Sequence, residues 1–297
     1  MNIKKIRAAS VAGSFYSSDK EKLSNTIKNS FLHKHGPKKL PDISNNKNQL
    51  KGVIVPHAGI SYSGSVAAHS YFSIAEDGFA DSFIIIGPNH RGIGSGISLY
   101  PPGKWKLPNG DITMDEILIE NLSGDIIDID ENSHPTGENS IEVQMPFLNY
   151  ISNNRKFTTA LLSMAIQDFD TSKKVGEKIA EAVKKDNRKI LIIASSDFSH
   201  EGFVYGRLPP KNLSADSYAR RQDNIAIEKI KKFDANGLIS SVYNNNISMC
   251  GYGPIAALLI ATKKLGANKV KLQKYITSND IEASSYCVGY ASFIIYR

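Results

Sequence analysis

Three histidines in this chain each follow an uncharged, mostly β-branched run that ends in a turn: Val53–Val55 leads into Pro56-His57-Ala58-Gly59, Phe83–Ile86 into Gly87-Pro88-Asn89-His90, and Ile190–Ala194 into Ser195-Ser196-Asp197-Phe198-Ser199-His200. Runs of this kind suit strands covered on both faces, as in a parallel sheet. Parallel strands end on one edge, and open α/β sheets bind ligands there. Histidines distant in sequence can therefore meet in space. Neutral imidazole is a common metal ligand and proton carrier, so a metal or acid–base site is the leading expectation.

Cys250 precedes Gly251-Tyr252-Gly253-Pro254 and a helical pattern, and a helix N-terminus favours a thiolate. The plainer reading makes it a small buried apolar residue. Joined to His57 and His90 it completes a His₂Cys set suited to iron, copper or zinc. Asp197 and His200 are three residues apart and would point the same way on a helical turn. His200 then serves as a general acid/base, and Asp197 as a metal ligand, an imidazole orienter or the cap of the turn. His134, Glu138, Ser140 and Glu142 form a polar cluster that surface loops often resemble. His33, His35 and His69 lack such company and read as solvated or core residues. Cys287 lies in a strand pattern and reads as buried.

These groups need a frame that alternates strand and helix. Helices are expected over Asp19–Phe31 (capped by Ser18), Gly64–Glu76, Asp115–Leu122, within Ser140–Tyr150, and over Thr171–Lys185, Ser214–Phe233 and Pro254–Leu265, the last ending at Gly266. Further strands are expected at Phe157–Ile166 and Ser285–Tyr296. Ala12–Tyr16 reads as an extended segment with a turn, His35–Asn48 as a loop, and Ser95–Asp111, which holds the only tryptophan, as a β-rich excursion or a lid. The fold class is α/β: a single domain over residues 1–297 with a central, mainly parallel or mixed sheet flanked by helices.

Composition narrows the function classes. Hydrophobic residues make up 41% and charged residues 22%, ordinary values for a globular chain. No apolar stretch approaches a membrane span. Met1–Val11 lacks a signal-peptide core, and two cysteines outside any CxxC pair suit a reduced compartment, so a cytoplasmic location is expected. The net charge is +7, and residues 1–51 supply eleven cations against three carboxylates, which leaves the remainder slightly acidic. That excess reads as a solvated face rather than a nucleic-acid or membrane surface. P-loop, GxGxxG, GxSxG, HExxH and EF-hand patterns are absent, which argues against nucleotide-dependent chemistry and serine hydrolysis.

Ala12-Gly13-Ser14-Phe15-Tyr16, Pro56-His57-Ala58-Gly59, Tyr62-Ser63-Gly64, Gly87-Pro88-Asn89-His90, Ser140-Ile141-Glu142 with Pro146-Phe147-Leu148, Ser195–His200, Cys250-Gly251 and Val288-Gly289-Tyr290 occur in the order found in one family. From about Arg7 to Tyr290 the chain resembles the MEMO family, also named component B of the AmmeMemoRadiSam system. The resemblance implies a fold like the class III extradiol dioxygenases. In those enzymes two histidines and a glutamate hold non-haem iron, and a further histidine is the acid/base. A cysteine replaces the glutamate in the MEMO family. The resemblance thus implies His57, His90 and Cys250 as metal ligands, Asp197 and His200 in the pocket, and His134 as a matched family histidine. It also implies either an iron- or copper-dependent redox enzyme or a non-catalytic binding protein. The binding reading brings an unknown small-molecule or peptide ligand, with radical-SAM and AMMECR1-like proteins as partners. One position departs from the pattern. The family usually has Glu-His-Ser where this chain has Glu138-Asn139-Ser140, and Asn139 cannot carry a proton at neutral pH.

Overall fold

Four strands form the centre of the sheet: β2 (Leu50–Val55), β9 (Ile190–Ser195), β3 (Ser82–Pro88) and β8 (Thr158–Met164) lie side by side in that order, all parallel. The computed structural model describes residues 5–42 and 47–297. The expectations for Met1–Val11 and His35–Asn48 fall partly outside the described residues. Every residue of β3 and β9 is buried. Their apolar runs therefore fit strands covered on both faces, and each fully buried Ile or Phe contributes about 1.5–3 kcal/mol.

The sheet extends in both directions. Beyond β8 stand β6 (Ile112–Met114), β5 (Gly103–Lys106) and β1 (Lys5–Ala8), while β4 (Ile97–Leu99) pairs with β8 and with β7 (Asp128–Ile129). Beyond β2, antiparallel β12 (Cys287–Tyr296) pairs with β11 (Lys269–Thr277) and, at its start, with β10 (His200–Glu201). The Ser95–Asp111 segment is thus β-structure in the sheet rather than a lid, and Trp105 is buried within it.

Helices cover the sheet in two groups. The first comprises α1 (Lys20–Leu32), α2 (Ile60–Glu76) and α4 (Gln144–Ser152), with α2 against β2 and β12. In the second, α5 (Phe169–Lys185), α7 (Ala235–Asn244) and α8 (Tyr252–Lys264) pack together, with α8 against β2, β3 and β9. Short α3 (Glu116–Leu122) touches α5 and β8, and α6 (Ala215–Lys231) lies on α7, β11 and β12. The whole is a single-domain α/β arrangement with a large mixed sheet flanked by helices, consistent with an extradiol dioxygenase-like fold. No helix among the described residues is long and apolar enough to cross a membrane.

Several sequence expectations require correction. Asp19, not Ser18, caps α1, its carboxylate accepting from Lys22 N. The expected Ser214–Phe233 helix ends at Lys231, and α7 follows after Asp234 caps it. Strand β11 was not read from the sequence, although its Lys269-Val270-Lys271-Leu272 alternation suits a half-exposed edge strand. Asp197 and His200 do not share a helical turn; His200 begins β10, held by pairing with Val288.

Candidate metal centre

His57 lies two residues beyond β2, His90 two beyond β3 and Asp197 two beyond β9, the strand between them. Cys250 approaches the same edge from the turn before α8. One ligand atom from each of His57, His90 and Cys250 falls within 4.8 Å of the others. Cys250 Sγ is 3.2 Å from His57 Nε2, and the two imidazole rings stand edge to face at 5.3 Å. These three residues form a group that can hold a metal ion.

Each ring is oriented by partners on its far nitrogen. His57 Nδ1 lies 2.8 Å from Ser195 Oγ. That hydroxyl gives its single proton to the Ser140 carbonyl and accepts from Gln144 Nε2 at 2.8 Å. Its remaining role is to accept from His57 Nδ1–H, which leaves Nε2 as the ring atom that faces Cys250. Gln144 is fixed in turn, since Nε2 donates to Pro56 O and Oε1 accepts from Tyr71 OH at 2.6 Å. His90 Nδ1 donates to Glu138 Oε1 at 2.9 Å, and His90 N donates to Glu138 Oε2 at 2.8 Å. Ser140 N also donates to Glu138, whose carboxyl group is buried. A carboxylate behind an imidazole is the arrangement that fixes the tautomer and raises the basicity of metal-binding histidines.

The charges support one another. Burial works against an ionised Cys250 thiol, but the His57 charge and hydrogen bonds from His57 and His90 outweigh it, bringing the pKa down to about 5. Burial pushes His90 down, yet the hydrogen bonds to Cys250 and Glu138 raise it to about 10. Glu138, despite burial, is drawn down to about 2 by its bond to His90. For His57, burial is overcome by the negative Cys250 and Asp197, and its pKa rises. The thiolate is already a donor form, and a bound cation would displace the protons that the two rings share with it, so the donor set fits iron, copper or zinc.

Asp197 is a positioning residue. Its Oδ1 accepts from His57 N at 2.7 Å and Ala58 N at 3.2 Å, tying the β9 turn to the β2 turn. It lies outside the metal-holding group. Ser196 Oγ accepts from Gly251 N at 2.9 Å, and Gln167 brackets the Cys250 turn through Cys250 O and Gly253 N. A Cβ on Gly251 would stand 2.6 Å from both Ser195 O and Ser196 Cβ, so only glycine lets this turn reach the edge.

A cavity of about 390 Å³ opens beside the cluster, lined by His57, His90, Asp197, His200, Phe15 and a set of tyrosines, Tyr62, Tyr205, Tyr286 and Tyr290. His200 Nδ1 lies 3.1 Å from the Ser248 carbonyl, which can only accept. The neutral ring therefore keeps its basic lone pair on Nε2. Asn139 also lines this cavity and donates from Nδ2 to His57 O at 2.9 Å, so it braces the His57 turn.

His134 is not brought to the cluster. Its ring packs edge to face on Tyr100 and Trp105, and its carbonyl accepts from Arg7 Nε. Burial, with Arg7 nearby, lowers its pKa to about 3. Glu142 turns away as well, accepting from Arg7 Nη1, Ser10 N and Oγ, Val11 N and Tyr16 OH. It anchors the N-terminal segment that presents Phe15. Sequence reasoning missed the ring-orienting roles of Ser195, Gln144 and Glu138; the strand-end position of Ser195 was the one available signal.

The Memo-like protein family model matches residues 7–294. A MEMO1 family protein of Methanocaldococcus jannaschii is 42% identical over 98% of this chain and 99% of its own. Another from Methanococcus maripaludis strain C6 is 43% identical over 96% and 98%, and one from Sulfolobus acidocaldarius 40% identical over 97% and 98%. Among solved structures, an uncharacterized protein from Escherichia coli K12 superposes with a TM-score of 0.55 at 13% identity, covering 83% of this chain and 99% of that one, a likeness of fold alone. A sequence match that spans the sheet, both helical layers and every residue of the cluster leaves one assignment: the chain belongs to the Memo-like family.

Proposed function

We propose that this protein is a metal-dependent redox enzyme that holds iron or copper on His57, His90 and Cys250 and acts on a small aromatic or phenolic substrate in the adjoining cavity. The observation that carries this reading is the convergence of two imidazoles and one thiolate, each ring oriented from behind, at the wall of a cavity that also receives a free imidazole nitrogen. When bound, the metal would supply a Lewis-acid centre able to exchange one electron with a ligand. His200 Nε2 accepts and returns the substrate proton. Phe15 and the tyrosines bind an apolar ring and thin the water around it. Ser195 and Glu138 keep both ligand rings in register. The thiolate in place of a carboxylate changes the metal's potential, so ring cleavage does not follow from the fold.

Oxygen uptake with catechols and other small aromatic reductants tests this reading after anaerobic loading with ferrous or cuprous ion. Uptake that falls about 10²- to 10⁴-fold in His200→Gln, with metal content unchanged, is the expected result. Loaded protein that takes up no oxygen with any of these compounds overturns it.

One observation favours a second reading, a binding protein that presents its site to a partner. Phe203, Val204 and Leu208 are exposed by 83%, 63% and 76%, next to the cavity-lining Tyr205. Apolar surface of this kind marks interaction sites. A radical-SAM protein or an AMMECR1-like protein is the partner class this reading proposes, and co-purification with either from the native host tests it.

A further inference from the structure

A cavity of about 610 Å³ lies at the opposite end of the same strands. It opens where β2 and β9 begin and where α5 and α8 end, and is lined by Lys51, Lys184, Arg188, Lys189, Lys264 and Arg297, with no Asp or Glu side chain among its lining residues. Lys51 and His57 are six residues apart on extended chain, so this cavity and the metal cluster are separated by roughly 20 Å.

Four of these cations are already engaged. Arg188 pairs with Asp115 and Asp186, Lys189 with Asp77, and Lys264 with Glu177. Arg297 Nη2 donates to Leu265 O, a free carbonyl at the end of α8. Lys51 and Lys184 have no carboxylate partner among the described residues. The carboxylate near Lys51 is Asp77, and it is spent on Gln49 N, Leu50 N and the Lys189 ammonium. Lys51 is half-buried, and burial together with the Arg297 and Lys189 charges pulls its pKa below the usual lysine range. Helix-end lysines such as Lys184 and Lys264 also offset the negative ends of α5 and α8. That role does not explain Lys51, which sits on a strand. A concave wall with uncompensated cations focuses positive potential and favours a multiply charged anion.

We propose that this cavity binds the phosphate chain of a polyphosphate-bearing small molecule. Lys51 and Lys184 contact the phosphates, the free donors of Arg297 assist them, and the amides of Asn48 and Asn187 lie in the same wall. The volume exceeds what one phosphate fills and suits a ligand of nucleotide size. This site is independent of the metal cluster and of the activity proposed for it.

Isothermal titration of the full chain with tripolyphosphate and, separately, with ATP provides the test. The wild type is expected to bind tripolyphosphate. Lys51→Met with Lys184→Met is expected to weaken binding at least about tenfold, while Lys20→Met with Lys28→Met, the same change in net charge on α1, leaves it within about twofold. Lys184→Met alone, on the exposed last turn of α5, gives an intermediate loss and removes dependence on whether the strand variant folds. Tighter binding of ATP shows that the base shares the cavity; equal affinities show that the phosphate chain alone is the ligand. Absence of binding to the wild type up to about 1 mM, or equal weakening by the two double variants, overturns the proposal.

Discussion

Glu138 Oε1 stands 2.9 Å from His90 Nδ1, and the other oxygen of the same carboxylate takes the His90 backbone N–H. One buried side chain therefore fixes both the ring and the turn that carries it. Glu138→Gln leaves the shape nearly intact but removes the charge and the lone-pair geometry. Metal affinity is expected to fall about 10- to 100-fold with little change in unfolding midpoint. Competition with a chromophoric chelator measures this, and an unchanged affinity would separate Glu138 from the site.

Gly251 is the close-approach point of the thiolate turn. In Gly251→Ala the new methyl meets Ser195 O and Ser196 Cβ at 2.6 Å, so the turn must lift away from the edge. The expected cost is about 1–3 kcal/mol of stability together with a loss of bound metal. Denaturant titration and metal analysis of the same preparation check the two together. Full metal occupancy in this variant would show that the turn has room to spare.

Glu142 holds the N-terminal segment from inside. Its pair with Arg7 at 2.6 Å is nearly dry, with 11% of the arginine and none of the carboxylate side chain exposed. Removing one partner of such a pair leaves an uncompensated charge, and Glu142→Ala is expected to cost about 3–5 kcal/mol. Faster hydrogen exchange at Ser10 and Val11, whose N–H groups donate to it, should accompany the loss. Exchange that stays slow there would place the anchor elsewhere.

His134 makes the fold sensitive to acid. Burial, reinforced by the Arg7 charge, depresses its pKa from 6.5 to about 3. The neutral ring is the form that folds. Its contribution is complete above pH 6.5 and is lost as pH falls toward 3, at up to about 1.4 kcal/mol per unit. His134→Phe keeps a ring against Tyr100 and Trp105 without the titration. Between pH 6.5 and 5 the wild type should lose up to about 2 kcal/mol more than the variant. Parallel denaturation curves at the two pH values decide it, and equal losses would mean that His134 does not titrate over this range.

The ligand atoms were legible in the sequence because strand ends are. Apolar runs followed by Pro56-His57 and Gly87-Pro88-Asn89-His90 announce buried parallel strands, and parallel strands share an edge. Cys250 was legible by its place before a helix. What supports the ligands was not. Ser195 reaches His57 across 138 positions, Gln144 reaches Ser195 across 51, and only the packed sheet makes them neighbours. Glu138 stood in view, but beside His134, which the strands carry to a different wall. Asp197 and His200 have a spacing that would suit a helical turn, but pairing with β12 draws His200 into a strand instead.

The most direct test of the central claim is the metal content of anaerobically purified protein, wild type against Cys250→Ala. Near-stoichiometric iron or copper in the wild type and its loss in the variant is the predicted result. Metal at background level in both would contradict the His57, His90 and Cys250 site.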